Sequence, residues 1–252
     1  MLEQTVVTRY VTPLREGGSL PGLVEAADEG TYVAKFRGAG QGVKVLVAEV
    51  LVAGLAALVD VPVPRLVVLH LDAQIARYEA DEEVQDLLTA SLGLNLGVDF
   101  LPGSFGYDGT APPPPDLAAR IIWLDALTAN VDRTWANPNL LVWHRRTWAI
   151  DHGAALYVHH SWPGRAPDPT RFADLPFDPA KHVLRDVASS VAAVHDELVA
   201  RLTPSAVAEV VAQVPTGWLE TTPWLADAAA VRESYQALLQ ARLSSRAWVP
   251  GA

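Results

Sequence analysis

The 252-residue chain contains no cysteine, which excludes a disulfide framework, a thiolate metal site and a cysteine nucleophile. Lysine is almost as scarce: Lys35, Lys44 and Lys181 are the whole supply, and every other permanent side-chain cation is an arginine. No apolar run reaches the length that spans a bilayer. The start, Met-Leu-Glu-Gln-Thr, has neither the basic nor the apolar region of an export signal, so a cytoplasmic protein is expected. Cations are outnumbered, 19 Lys and Arg against 29 Asp and Glu, for a formal charge of −10. That balance argues against a general nucleic-acid binder and against a protein held on anionic lipid. The length can bury a sizeable core as one large domain or two lobes, and no internal repeat is evident.

What is there is concentrated in Asn130-Val-Asp132-Arg-Thr-Trp-Ala-Asn137 and, further on, Ile150-Asp151-His-Gly153. Leu140–Trp143 and Thr147–Ile150 are short apolar runs of β-prone residues separated by His144-Arg-Arg146, which predicts a hairpin. Asn137 then enters one strand and Asp151 leaves the other, so the two can share a cation. Gly153 lets the chain turn away directly after Asp151. Phosphoryl transfer needs positioning and charge neutralisation more than covalent chemistry. In that chemistry Asp132 orients and deprotonates a hydroxyl, while Asn137 and Asp151 hold Mg²⁺ with ATP.

The N-terminal third supplies further parts. Val6–Leu14 and Thr31–Phe36 are expected as strands, and between them lies a glycine-rich turn in which Gly17, Gly18 and Ser19 can bring backbone N–H groups to phosphate oxygens. Alternation in Thr-Tyr-Val-Ala-Lys35-Phe puts Lys35 on the face of Val33, where a compact ammonium suits the α- and β-phosphates. Glu49 is the only acid in the apolar helix expected over 43–58; burial there requires a cation, with Lys35 favoured over Lys44 or an arginine elsewhere. Strands are expected at Leu66–Leu71 and Leu94–Leu101, with a short helix over Glu79–Asp86 between them. The second strand runs through Asp99, Phe100 and Leu101 into a Gly/Pro-rich connector ending at Pro115, the pattern of a hinge whose backbone can bind adenine.

Beyond the hinge, Asp116 is expected to cap a helix over Leu117–Thr128 that delivers Asn130 and Asp132. Residues 163–179 are a Pro/Asp-rich loop. Helical periodicity then covers Lys181–Leu202, Ser205–Val214 and Pro223–Leu243. Trp218, Trp224 and Trp248 are expected in the core, and His159-His160 has no third ligand at metal spacing.

Together Lys35, Glu49, Asp99-Phe-Leu-Pro-Gly, Asp132-Arg-Thr-Trp-Ala-Asn137 and Ile150-Asp-His-Gly153 resemble a HipA-like kinase, within the wider protein/phosphoinositide kinase-like fold. The resemblance covers nearly the whole chain and is most specific over 120–155. It implies an α+β, two-lobed fold: a β-rich N-lobe with one helix over 1–105 and a mainly helical C-lobe over 106–252. It implies an ATP- and Mg²⁺-dependent phosphotransferase with Asp132 as base, Asn137 and Asp151 as metal ligands and Lys35 on the phosphates, acting on protein serine or threonine ahead of a small molecule. Arg133 and Thr134 depart from the Gly-His of the best-known members and lie closer to the phosphoinositide-kinase pattern, which leaves the acceptor less defined than the donor. An aminoglycoside-type small-molecule kinase, a nucleotide-binding pseudokinase and a Mg²⁺-independent structural or regulatory protein are the alternatives; a lipid kinase is disfavoured, with no basic membrane-facing segment.

Overall fold

The structure is a computed structural model that describes residues 1–14, 20–77 and 79–251. The fold is mixed α+β and divides into two compact units, residues 1–46 with 64–102 and residues 47–63 with 103–252.

The first unit is built on a closed five-stranded barrel. Its strands are β1 (Glu3–Pro13), β2 (Gly22–Ala26), β3 (Thr31–Lys35), β4 (Leu66–Leu71) and β5 (Gly93–Asp99), in the order β1-β2-β3-β5-β4. All neighbours are antiparallel except β1 and β4, which run parallel. Alternation dictates the interior: Val24, Tyr32, Ala34, Val67 and Leu69 point inward and pack with Val84 and Leu88 of helix α3 (Glu82–Ala90). Gly97 is required where β5 crosses β4, because a Cβ there would stand 2.7–2.8 Å from the side chains of Val67 and Leu69. Strand β2 is absent from the sequence reading, in which the strand at Val6–Leu14 is followed next by the one at Thr31–Phe36. Where one short helix is expected over 79–86 there are two, α2 (Ala73–Arg77) and α3, the latter capped by Asp81.

Helix α1 (Val43–Leu58) is buried along most of its length. In the second unit, α4 (Pro115–Thr128) is enclosed on every side, with Ala118, Ala119 and all of 121–128 buried. Pro115 opens α4, so Asp116 is not its cap; it lies in the first turn and accepts from Ser189 Oγ at 3.0 Å. A three-stranded sheet follows, β6 (Phe105–Gly106), β7 (Leu140–Trp143) and β8 (Arg146–Ala149). The β7–β8 hairpin has the expected place, and β6 is an addition to it.

The remaining helices are α5 (Pro169–Ala173), α6 (Val191–Arg201), α7 (Pro204–Ala212) and α8 (Ala228–Leu243). The single helix expected over Lys181–Leu202 starts only at Val191, where Ser190 caps it; residues 182–190 are irregular because His182 is drawn into a buried polar cluster described below. Trp218 and Trp248 are buried as expected, whereas Trp224 is exposed. Arg242 of α8 is fully buried, and its guanidinium donates to the carbonyls of Ala126, Phe172 and Leu175 at 2.5–3.2 Å.

Candidate active site

Helix α4 ends in a way that aims the loop after it. Ala129 takes a left-handed conformation (φ 54°) and the N–H of Asn130 returns to the carbonyl of Asp125 at 2.8 Å, the six-to-one bond of a Schellman motif. The Asn130 side chain donates to Asp125 Oδ1 at 3.0 Å, and its Oδ1 accepts the N–H of Asp132 at 3.2 Å. Asp132 is thereby fixed to the helix end through a single carboxamide. Its own Oδ2 accepts from Asn137 Nδ2 at 2.7 Å and from Asn139 Nδ2 at 3.3 Å. A carboxylate only accepts, so each amide turns its NH₂ to Asp132 and keeps its carbonyl oxygen for another partner.

Beneath the loop lies a polar cluster absent from the sequence reading. Arg133 is 1% exposed and forks onto Asp125, Nε to Oδ2 at 2.6 Å and Nη2 to Oδ1 at 3.2 Å. Its Nη1 donates to the carbonyls of Asn139 and, at 3.2 Å, Ile150. A guanidinium has no acceptor, so His152 receives Nη2 at its Nδ1, 3.2 Å away. His182 donates Nε2–H to Asp125 Oδ2 at 3.0 Å while its Nδ1 accepts the N–H of Leu184 at 3.1 Å, which fixes the tautomer. Burial alone would raise the Asp125 carboxyl, but the Arg133 charge and the bonds from His182 and Arg133 outweigh it and hold the group far below the usual carboxylate range. Part of the signal was legible: Asp125 stands within the apolar run Ile121–Thr128, a setting like the one that singled out Glu49.

Arg133 ties the loop to the hairpin. Strands β7 and β8 pair Leu140 with Ala149, and the N–H of Ile150 continues the ladder to Asn139 at 3.0 Å. Asn139 (φ 48°) and Asp151 (φ 54°) both leave the strand conformation at this end. Asp151 is exposed, and it follows directly on the Ile150 carbonyl that Arg133 holds. Of the three expected residues, Asp132 and Asn137 are in direct contact and Asp151 is carried on the adjoining strand end. Asn139, which the spacing argument passed over, is buried and also reaches Asp132.

Among the described residues no group of three or more His, Cys, Asp or Glu could hold a metal ion. The available donors, two carboxylates and the carbonyl oxygens of carboxamides, are hard oxygens of the kind Mg²⁺ accepts together with substrate phosphates. The donor set fits that ion and is ill suited to a closed zinc site.

The first unit carries most of the other expected residues. Lys35 closes β3, half-buried on the face of Val33 and registered against Leu96 of β5. The N–H of Asp99 is given to Arg65 at 2.8 Å and that of Phe100 to Thr31 at 3.0 Å, so neither is open to a ligand. Gly17, Gly18 and Ser19 lie outside the described residues. Glu49, in the second unit, is 2% exposed on α1, as its apolar neighbours predict.

A family model described as HipA-like kinase matches residues 7–248. No curated protein matches. Among solved structures the chain is similar to the Helicobacter pylori proinflammatory kinase CtkA, at 11% identity and a TM-score of 0.56, covering 96% of this chain and 95% of that one. It is also similar to the Golgi casein kinase, at 13% identity and a TM-score of 0.49 over 96% of this chain and 72% of that one. A Golgi casein kinase structure with Mn/ADP bound gives 14% identity and a TM-score of 0.48, over 96% and 73%.

Proposed function

The chain belongs to the HipA-like kinase family, and from that premise we propose that it transfers the γ-phosphate of ATP, with Mg²⁺, to a serine or threonine hydroxyl of a protein. In this reading the chain has the family's two lobes, divided near residues 105 and 106. The observation that carries the proposal is the fixing of Asp132 by Asn130, Asn137 and Asn139, with Arg133 joining the same loop to the strand end that bears Asp151.

Asp132 accepts the proton of the acceptor hydroxyl as its oxygen attacks the γ-phosphorus. The bond from phosphorus to the β,γ-bridging oxygen breaks, and ADP leaves with that oxygen. The carbonyl oxygen of Asn137 and the carboxylate of Asp151 hold Mg²⁺, which neutralises charge on the phosphates. Lys35 contacts the phosphates, Glu49 keeps the carboxylate role the resemblance gives it, and Gly17, Gly18 and Ser19 line the phosphate side. The hinge segment Asp99-Phe100-Leu101 presents the adenine contact, through the N–H of Leu101. A cytoplasmic site of action agrees with the need for ATP.

The test is transfer of labelled γ-phosphate from Mg·ATP into proteins of a bacterial cytosolic extract, with Asp132→Ala beside the parent. Label on discrete protein bands, reduced at least about a hundredfold in the variant, is expected for loss of a general base. Equal labelling by the two proteins overturns the role of Asp132.

A further inference from the structure

Three residues beyond Asp132, Trp135 stands 58% exposed, an unusual position for a large apolar ring. Its placement is built. The ring stacks on Tyr107, with centroids 6.0 Å apart and planes at 25°. Tyr107 is itself buried and donates its N–H to Leu140 at 3.0 Å, which seats it at the end of the sheet beside Asn139. Gly109 (φ 86°) leaves room for the indole, because a Cβ at that position would lie 3.0 Å from it. One sheet end therefore gathers the proposed base and an aromatic pair fixed next to it.

Two carboxylates flank the pair in sequence, while the antiparallel bridge between Thr134 and His182 brings the exposed Lys181 to the same edge. Asp108 follows Tyr107, is exposed, and is held in its turn by the N–H and hydroxyl of Thr110 at 2.9 and 2.6 Å. Asp132 lies on the other side in sequence. Arg133, the only cation between Asp132 and Asn139, is buried and its donors are given to Asp125, His152 and two carbonyls. The arginines of the hairpin, Arg145 and Arg146, are at its opposite end, where Trp143 pairs with Arg146. The exposed electron-rich face of Trp135, backed by buried Tyr107 and with Asp132 and Asp108 beside the two rings in sequence, complements a positively charged group.

We propose that Trp135, held by its stack on Tyr107, forms the acceptor platform of this kinase and that its exposed face takes an arginine or lysine side chain flanking the acceptor serine or threonine of a protein. This rests on the kinase reading above and gives its acceptor a chemical class. Trp135 is then the specificity-determining residue, touching the acceptor but not the transferred phosphate.

The experiment uses the full chain, Mg·ATP and two synthetic peptides with a central serine, one flanked by arginines and one by glutamates, with kanamycin as a small-molecule cation. Mg·ATP affinity is measured separately. The arginine peptide is expected to be the preferred acceptor. Trp135→Ala is expected to raise its KM about tenfold, the scale of one cation–π contact, with a far smaller change in kcat. Trp135→Phe, which keeps an aromatic face, is expected to restore most of the loss. An unchanged peptide KM in Trp135→Ala, a preference for the glutamate peptide, or no labelling of either peptide by a chain that binds Mg·ATP and labels extract proteins each overturns the platform while leaving the kinase reading in place; a preference for kanamycin overturns the platform and the protein acceptor together. Failure of the parent chain to bind Mg·ATP overturns both.

Discussion

At the scale of single residues, Asp125 and Arg133 carry more of the site than their place in the sequence suggests. A buried, bidentate pair is costly to desolvate, and removing one partner strands the other, at about 3–5 kcal/mol. Because the folded Asp125 carboxyl titrates below its unfolded value, the unfolded chain binds the extra proton in acid. The stability it contributes is complete above the ordinary carboxylate pKa, roughly 4, and is lost as the pH falls from there towards the depressed value. Urea unfolding between about pH 6 and 3 should show this acid loss in the parent and a flatter profile, from a lower starting stability, in Asp125→Asn. An identical pH slope in the two proteins would mean that the cluster does not hold the charge.

Elements place these residues. The end of α4 depends on Ala129 in a left-handed conformation, which an L-residue with a Cβ adopts at a cost of about 1 kcal/mol relative to glycine. Ala129→Gly is therefore expected to stabilise the protein by about that amount, read as a rise in Tm of roughly 2–4 °C for a chain of this size. A fall in Tm would show that the alanine methyl, which is buried, is worth more in packing than the backbone strain it causes. The same helix end shows what could be read beforehand. The hairpin was legible because two β-prone runs flank a polar turn, and Asp132 followed from the helix before it. Strand β6 was not, since two residues give too little alternation to stand out from loop, and β2 was passed over although it is as long as β3. The irregular stretch 182–190 has helical periodicity, but His182 makes its hydrogen bond to Asp125, 57 residues earlier, and that bond overrides local preference.

For the whole molecule, ligand binding is coupled to folding. A ligand that binds only the native state raises its stability, by about 2.7 kcal/mol at a hundred times its Kd. Saturating Mg·ATP should therefore raise the Tm of the parent chain and of Asp132→Ala alike, because the base acts on the acceptor. Asp151→Ala should lose most of that rise. Equal shifts in Asp151→Ala and the parent would remove Asp151 from the metal site, whatever the activity of either protein. No helix among the described residues is long and apolar enough to cross a membrane.

The sequence by itself determined which residues the proposed chemistry draws on: Asp132, Asn137 and Asp151 at kinase spacing, a rare lysine on an alternating strand, and a lone glutamate in an apolar helix. Those signals are local, carried by spacing and periodicity within a few residues. Tertiary structure decided which groups hold the loop in shape. Arg133 reaches Asp125 behind it and Asn139 and Ile150 ahead of it, His182 arrives from a distant segment, and Trp135 finds Tyr107 across 28 residues of chain. Such partners satisfy buried charge and exposed π-surface through space, and nothing in the spacing of a single chain records which of many candidates will meet.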